Sequence, residues 1–166
     1  MIATSTHLGA AGAGEAGEFE HCSSARFGEI QVLVASIVDF PDGLVGIGGS
    51  RYALLCTDSD SAFVWLQSMS DPGISLPLTN PHRFFADFEV QLADEDADRL
   101  GLSHGEPADV FVTVTAREAL ADFTVNTRAP ILIRAQCGYQ VLNLAPGVSI
   151  RTPLFPTDAV EAADAG

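Results

Sequence analysis

The side chains best suited to chemistry in this chain are three cysteines, four histidines and one run of carboxylates. A thiol nucleophile needs a base held beside it and a local reason to ionise. Cys137 paired with His82 or His104 is the arrangement that the sequence leaves open, and nothing beside Cys137 in the chain activates it. Cys22, Cys56 and Cys137 form an odd set with no Cys-x-x-Cys. That disfavours a disulfide framework and a thiolate zinc site, and it suits a reducing cytoplasm. His7, His21, His82 and His104 lack metal-ligand spacing. Asp94-Glu95-Asp96-Ala97-Asp98 alternates carboxylates as a calcium loop does. The sixth position, which needs glycine for the bend, is Arg99, and the twelfth, which needs glutamate, is Gly105. An acid-rich helix start is the better account, so no metal and no cofactor is expected.

Other chemistries fall with composition. All eight basic residues are arginine, so Schiff-base and phosphate-loop lysines are excluded. Gly43-Leu44-Val45-Gly46-Ile47-Gly48-Gly49 is the one glycine-rich stretch; Arg51 breaks the dinucleotide fingerprint, and a turn between strands is expected. Twenty-two acidic residues against those eight arginines give a net charge of -14. Such a surface repels nucleic-acid phosphates and anionic membranes, attracts basic partners and resists self-association, so a monomer is expected. A genomic habit of arginine use and acidity would produce the same composition. No run approaches the length of a membrane helix, and the N-terminus lacks the pattern of a signal peptide.

The elements that must position any site are strands. With 166 residues, 47% hydrophobic, and a mean hydropathy of +0.23, the chain suffices for one domain with a core. Ile30, Val32 and Val34 alternate, as do Val110, Val112 and Val114. Further β-rich runs are Tyr52–Thr57, Phe63–Leu66, Ile74–Leu78, Phe88–Leu92, Phe123–Val125, Ile131–Arg134 and Tyr139–Leu144, punctuated by Pro41-Asp42-Gly43, Asp71-Pro72-Gly73, Asn80-Pro81 and Pro146-Gly147. The expectation is an all-β, mainly antiparallel, barrel-like or roll domain over residues 27–155 with one or two short helices. The best helix is Asp94–Leu102 with Asp94 as its N-cap. Residues 1–26 and 156–166 read as flexible tails.

The central segment carries a more specific pattern: Phe40-Pro-Asp-Gly43-Leu44-Val-Gly46, Arg51-Tyr-Ala-Leu-Leu55, Phe63-Val-Trp65-Leu66-Gln67-Ser68 with Asp71-Pro72, Asn80-Pro81, and Phe84-Phe85-Ala-Asp87-Phe88. It continues through Thr124-Val125-Asn126 with Ala129-Pro130, Gln140-Val141-Leu142 and Ile150-Arg151-Thr-Pro153-Leu154. In order and spacing these resemble the flagellar assembly factor FliW family across almost the whole domain. The chain departs at Ile47, at Thr127-Arg128 after Asn126, and at Val148.

The resemblance implies a binding protein with no catalytic residues. Members bind the translational repressor CsrA, a small β-rich dimer that occupies the leader of flagellin messenger RNA, and they also bind flagellin. Flagellin export frees the factor to remove CsrA from the RNA. On this view the partners are CsrA and flagellin, with no direct nucleic-acid contact, and the protein is cytoplasmic. Gln67, Ser68 and Asn126, polar residues beside apolar runs, are candidate contacts; capping turns or satisfying buried backbone is the alternative. Trp65 and Leu66 suit either core or an interface anchor. Asp94, Asp96 and Asp98 are candidates for steering a basic partner. An acidic β-module unrelated to motility and a hydrolase built on Cys137 are the competing readings.

Overall fold

The computed structural model describes residues 18–56, 61–99 and 108–155. Eleven strands occur among them: β1 Phe19–Ser24, β2 Gly28–Leu33, β3 Ile37–Asp39, β4 Arg51–Leu55, β5 Phe63–Ser68, β6 Ser75–Thr79, β7 Asp109–Thr115, β8 Thr124–Val125, β9 Ile131–Arg134, β10 Cys137–Gln140 and β11 Thr152–Pro153. The order β7-β6-β5-β4-β3-β10-β9 closes on itself through a β7–β9 pairing, which makes a seven-stranded barrel. Every pairing is antiparallel except β3 with β10. Closure satisfies the backbone groups that an open edge would leave to solvent or to another chain.

Alternation along the strands fills the barrel. Val38, Phe40, Tyr52, Leu54, Leu66, Leu78, Ile131 and Ile133 form one buried cluster. Phe40 and Tyr52 meet edge to face at 5.6 Å. Gly138 is where that cluster needs the absence of a side chain, since a Cβ there would stand 2.5 Å from the Phe40 ring. Gly43 and Gly46 take positive φ (71° and 75°) in the turns between β3 and β4, as their spacing suggested.

The opposite parity of β4 and β5 is covered from outside by the β1–β2 hairpin. Cys22, Ile30 and Val32 of the hairpin bury with Ile37, Ala53 and Leu55, and Phe27, Trp65 and Met69 pack against them. The segment expected to be a tail up to residue 26 is therefore structured from Phe19. Its inward side chains, Cys22 and Ser24, are small, so the strand carries little hydrophobic signal. A second outer cluster joins Val112, Val114, Val125 and Leu154 to Phe84, Phe85, Phe88, Phe123 and Phe155.

Other expectations shift. Val34 lies in a 3-10 turn, not in β2. Phe88–Leu92 and residues 141–144 are irregular backbone, although the latter alternate buried and exposed as a strand would. Helix α1 spans Asp94–Arg99, and the Ala93 carbonyl accepts its first bond, from Ala97; Ala93 is thus the N-cap, and Asp94 is the first helical residue. Residues 100–102, expected to extend it, lie outside the described residues, as do 1–17 and 156–166.

Candidate partner-binding face

Two sets of motif residues go to different places. Gln67 and Ser68 sit at the end of β5 and are 0% exposed. The Gln67 Oε1 accepts from the hydroxyls of Ser24 (2.7 Å) and Ser75, and its Nε2 donates to the Ser68 carbonyl at 3.1 Å. Ser68 Oγ accepts from the amides of Ser70 and Asp71 at 3.2 and 3.0 Å, capping the turn into β6. The Ala25 amide donates to the Pro72 carbonyl, and Glu20 receives a bidentate Arg51 at 2.9 and 3.1 Å that lowers the carboxyl's pKa. These bonds fasten the hairpin to the barrel. Gln67 and Ser68 as surface contacts are thereby corrected: both are enclosed, with their polar atoms engaged inside the fold. Leu66 is core. Trp65 is half-buried between the Phe27 ring at 5.7 Å and the Arg26 guanidinium carbon, 4.3 Å above its face.

Asn126 belongs to the other set. Its Oδ1 accepts from the amides of Arg128 and Ala129 at 3.1 and 3.0 Å, shaping the turn from β8 towards β9. The polar departure Thr127 is buried, and its hydroxyl is fully used: it accepts from the Ser149 amide and meets the Thr152 hydroxyl at 2.8 Å. Asn143, which the sequence reading did not single out, is 3% exposed and ties three segments together. Its Oδ1 accepts from the amides of Gln91 (2.9 Å) and Ala145 (3.0 Å), and its Nδ2 donates to the carbonyls of Glu89 (3.0 Å) and Thr127 (3.2 Å). One side chain thus makes four bonds to backbone, the full capacity of a carboxamide.

The consequence is a groove of about 400 Å³ between residues 85–89 and 145–148, floored by Thr127, Ala145 and Thr152. Phe85, Phe88 and Val148 supply apolar walls, and its charged lining residues are Asp87 and Glu89. Beside it, residues 141–145 turn Val141, Asn143 and Ala145 inward and Leu142 and Leu144 outward, each leucine 54% exposed. Ile150 is 60% exposed. Helix α1 follows Gln91, whose carbonyl accepts from the Leu144 amide. On α1, Asp94 and Asp98 are exposed, and Asp96 is held by Arg99, which also reaches Asp42 at 2.9 Å.

The chemistry left open by the sequence finds little support. Around Cys137 stands Tyr139, whose hydroxyl has a raised pKa, first through its hydrogen bond with that thiol and then through burial. His82 is seated instead by Asn80 Oδ1 and stacks edge-on against Phe88. His104 lies outside the described residues. Among the described residues no three His, Cys, Asp or Glu side chains are grouped to hold a metal, and no helix is long and apolar enough to cross a membrane.

The model of the FliW protein family matches residues 21–154, which takes in the hairpin, the barrel and the groove. The chain belongs to the FliW family. Its similarity to FliW relatives extends along most of both chains. It is 37% identical over 136 residues to a protein named flagellar assembly factor FliW from Desulfitobacterium hafniense, covering 80% of this chain and 90% of that one. The flagellar assembly factor FliW of Magnetococcus marinus is 34% identical, with 79% and 82% covered. A crystal structure of the flagellar assembly factor FliW superposes with a TM-score of 0.73 at 27% identity, over 82% of this chain and 98% of the other. The FliW fold of that structure accounts for the closed barrel seen here, and the FliW match starting at residue 21 agrees with a domain that includes β1.

Proposed function

We propose that this protein works in flagellar assembly by capturing proteins in the cytoplasm: it binds the translational repressor CsrA, relieving repression of flagellin messenger RNA, and it binds flagellin as a chaperone in a partner switch. Membership of the FliW family over nearly the whole domain carries this reading. The described surface agrees with it. Leucines held in water beside a groove suit a binding protein, and the acidity favours a partner that must itself be basic to hold RNA.

Titration calorimetry of CsrA into the purified protein is the direct test. A specific complex is expected, together with displacement of CsrA from a flagellin leader RNA in a competition assay. Absence of heat and of co-elution at tens of micromolar, on the order of the weakest specific interactions relevant here, would sink the reading.

A further inference from the structure

We propose that the β1–β2 hairpin is a lid: it leaves the barrel as one unit while the barrel stays shut, so that the apolar face of Ile37, Ala53 and Leu55 is displayed only in the open state. Strands β1 and β2 pair only with each other, in a two-stranded sheet separate from the barrel. The barrel closes without them, through β7 and β9. Lifting the hairpin therefore breaks no strand ladder. Among the described residues, the backbone bond between hairpin and barrel runs from the Ala25 amide to the Pro72 carbonyl at 2.8 Å.

The polar seam beneath the hairpin is built to part. Ser24 Oγ accepts from the amides of Arg26 and Phe27 at 3.1 and 2.9 Å, inside the hairpin turn, and gives only its proton to Gln67. Gln67 keeps Ser75 and the Ser68 carbonyl on the barrel side. Arg51, which holds Glu20, has Asp39 of β3 3.7 Å away. Each side thus retains partners of its own and water completes the rest, so opening strands no buried polar group. The apolar grip is modest: the hairpin contributes Cys22, Ile30 and Val32, with Phe27 at its turn. The pivot lies at the junction with the barrel, where Leu33 and Ile37 are extended on either side of the 3-10 turn Val34–Ser36. Gln136 Nε2 holds the carbonyls of Val34 and Ile37 at 2.8 and 3.0 Å, which anchors the barrel side of that junction while the hairpin moves. Off the barrel, an isolated two-stranded ribbon frays.

Native-state exchange on the full chain tests the lid. A slow thiol reagent is applied at low urea, and labelling of Cys22, 1% exposed under the hairpin, is read by peptide mass spectrometry beside amide exchange of β1, β2 and β9. Cys22 and the β1–β2 amides should open together, at least about a hundred-fold more often than β9, with weak dependence on urea because little surface is exposed. Ile133→Val, in the barrel interior, should speed exchange of β9 about five-fold. It should leave Cys22 labelling unchanged, since the lid opens with the barrel intact. Cys22 opening that matches β9 in frequency and urea dependence overturns the lid. So does a Cys22 labelling rate that rises in Ile133→Val by the same factor as β9 exchange.

Discussion

Two buried carboxamides, Gln67 and Asn143, do opposite things with the same chemistry. Gln67 lies under the β1–β2 hairpin and spends its hydrogen bonds on Ser24, Ser75 and Ser68, so that a flap of chain seals an apolar barrel face. Asn143 lies under no hairpin of the described residues. Its bonds hold four backbone groups in place and leave the neighbouring leucines outside. A polar residue enclosed in an apolar run can therefore mean concealment or display. The difference rests on whether the surrounding apolar side chains end up covered.

The strongest way to break that contrast is to remove the cover. Deleting residues 2–26 takes away β1 and re-exposes Ile30, Val32, Ala53 and Leu55. Failure to fold, or a loss of at least about 4 kcal/mol, is expected from thermal or urea denaturation. A truncated protein with wild-type stability would show that the hairpin covers nothing of consequence. Next in size is Asn143→Leu, which strands buried backbone donors and acceptors. It should cost about 3 kcal/mol in urea denaturation. Gln67→Leu should cost about 2 kcal/mol, because two serine hydroxyls lose their acceptor, while CsrA binding stays unchanged once the protein is folded.

Cys22 sharpens this further. Burial, then Glu29 and Glu20, push its thiol pKa up. Alkylation of Cys22 should be slow in the wild type, faster in Gln67→Leu as the hairpin loosens, and unchanged in Asn143→Leu. Because the folded state favours the neutral thiol, that stabilising contribution is complete below the ordinary thiol range and is lost as pH rises through the raised value. The smallest effect belongs to α1. Changing Asp94, Asp96 and Asp98 together to Asn should alter stability by no more than about 0.5 kcal/mol, since the ion pair involved is exposed. Any slowing of CsrA association should be confined to low salt, and identical salt slopes for the two proteins would remove α1 from steering.

How much of this was legible follows from burial parity. Strands β4 to β7 and β9 show in the sequence because apolar residues alternate or run together at turn-bounded spacing; their number and shortness point to a barrel-like or roll domain, and the β7–β9 pairing makes it a closed barrel. Strand β1 does not show, because its buried positions are Cys22 and Ser24. Gln67 and Ser68 were legible as special but not as enclosed, since whether a polar side chain mid-strand faces a flap or water depends on a hairpin that is distant in sequence. Asn143 escaped for the reverse reason. In Val141-Leu142-Asn143-Leu144 the pattern is apolar at three of four positions, and an inside-out reading needs the partners Gln91 and Glu89 from another segment. Asn126 was visible through its turn chemistry, and the structure gives it a turn-shaping role at the groove's edge.

The β9–β10 turn has a consequence for how the molecule is made. Ala135 and Gln136 both take positive φ (51° and 66°), a conformation that neither favours alone. Gln136 Nε2 donates to the carbonyls of Val34 and Ile37, the latter 99 residues away in sequence. The parallel seam between β3 and β10 is thus fastened by partners about a hundred residues apart, and loop-closure entropy places such contacts late in folding. During synthesis β3 must wait for β10 to leave the ribosome before the barrel can shut. A nascent chain that stops short of β10 has no closed barrel, so the closed fold arrives with that late segment and not gradually along the chain.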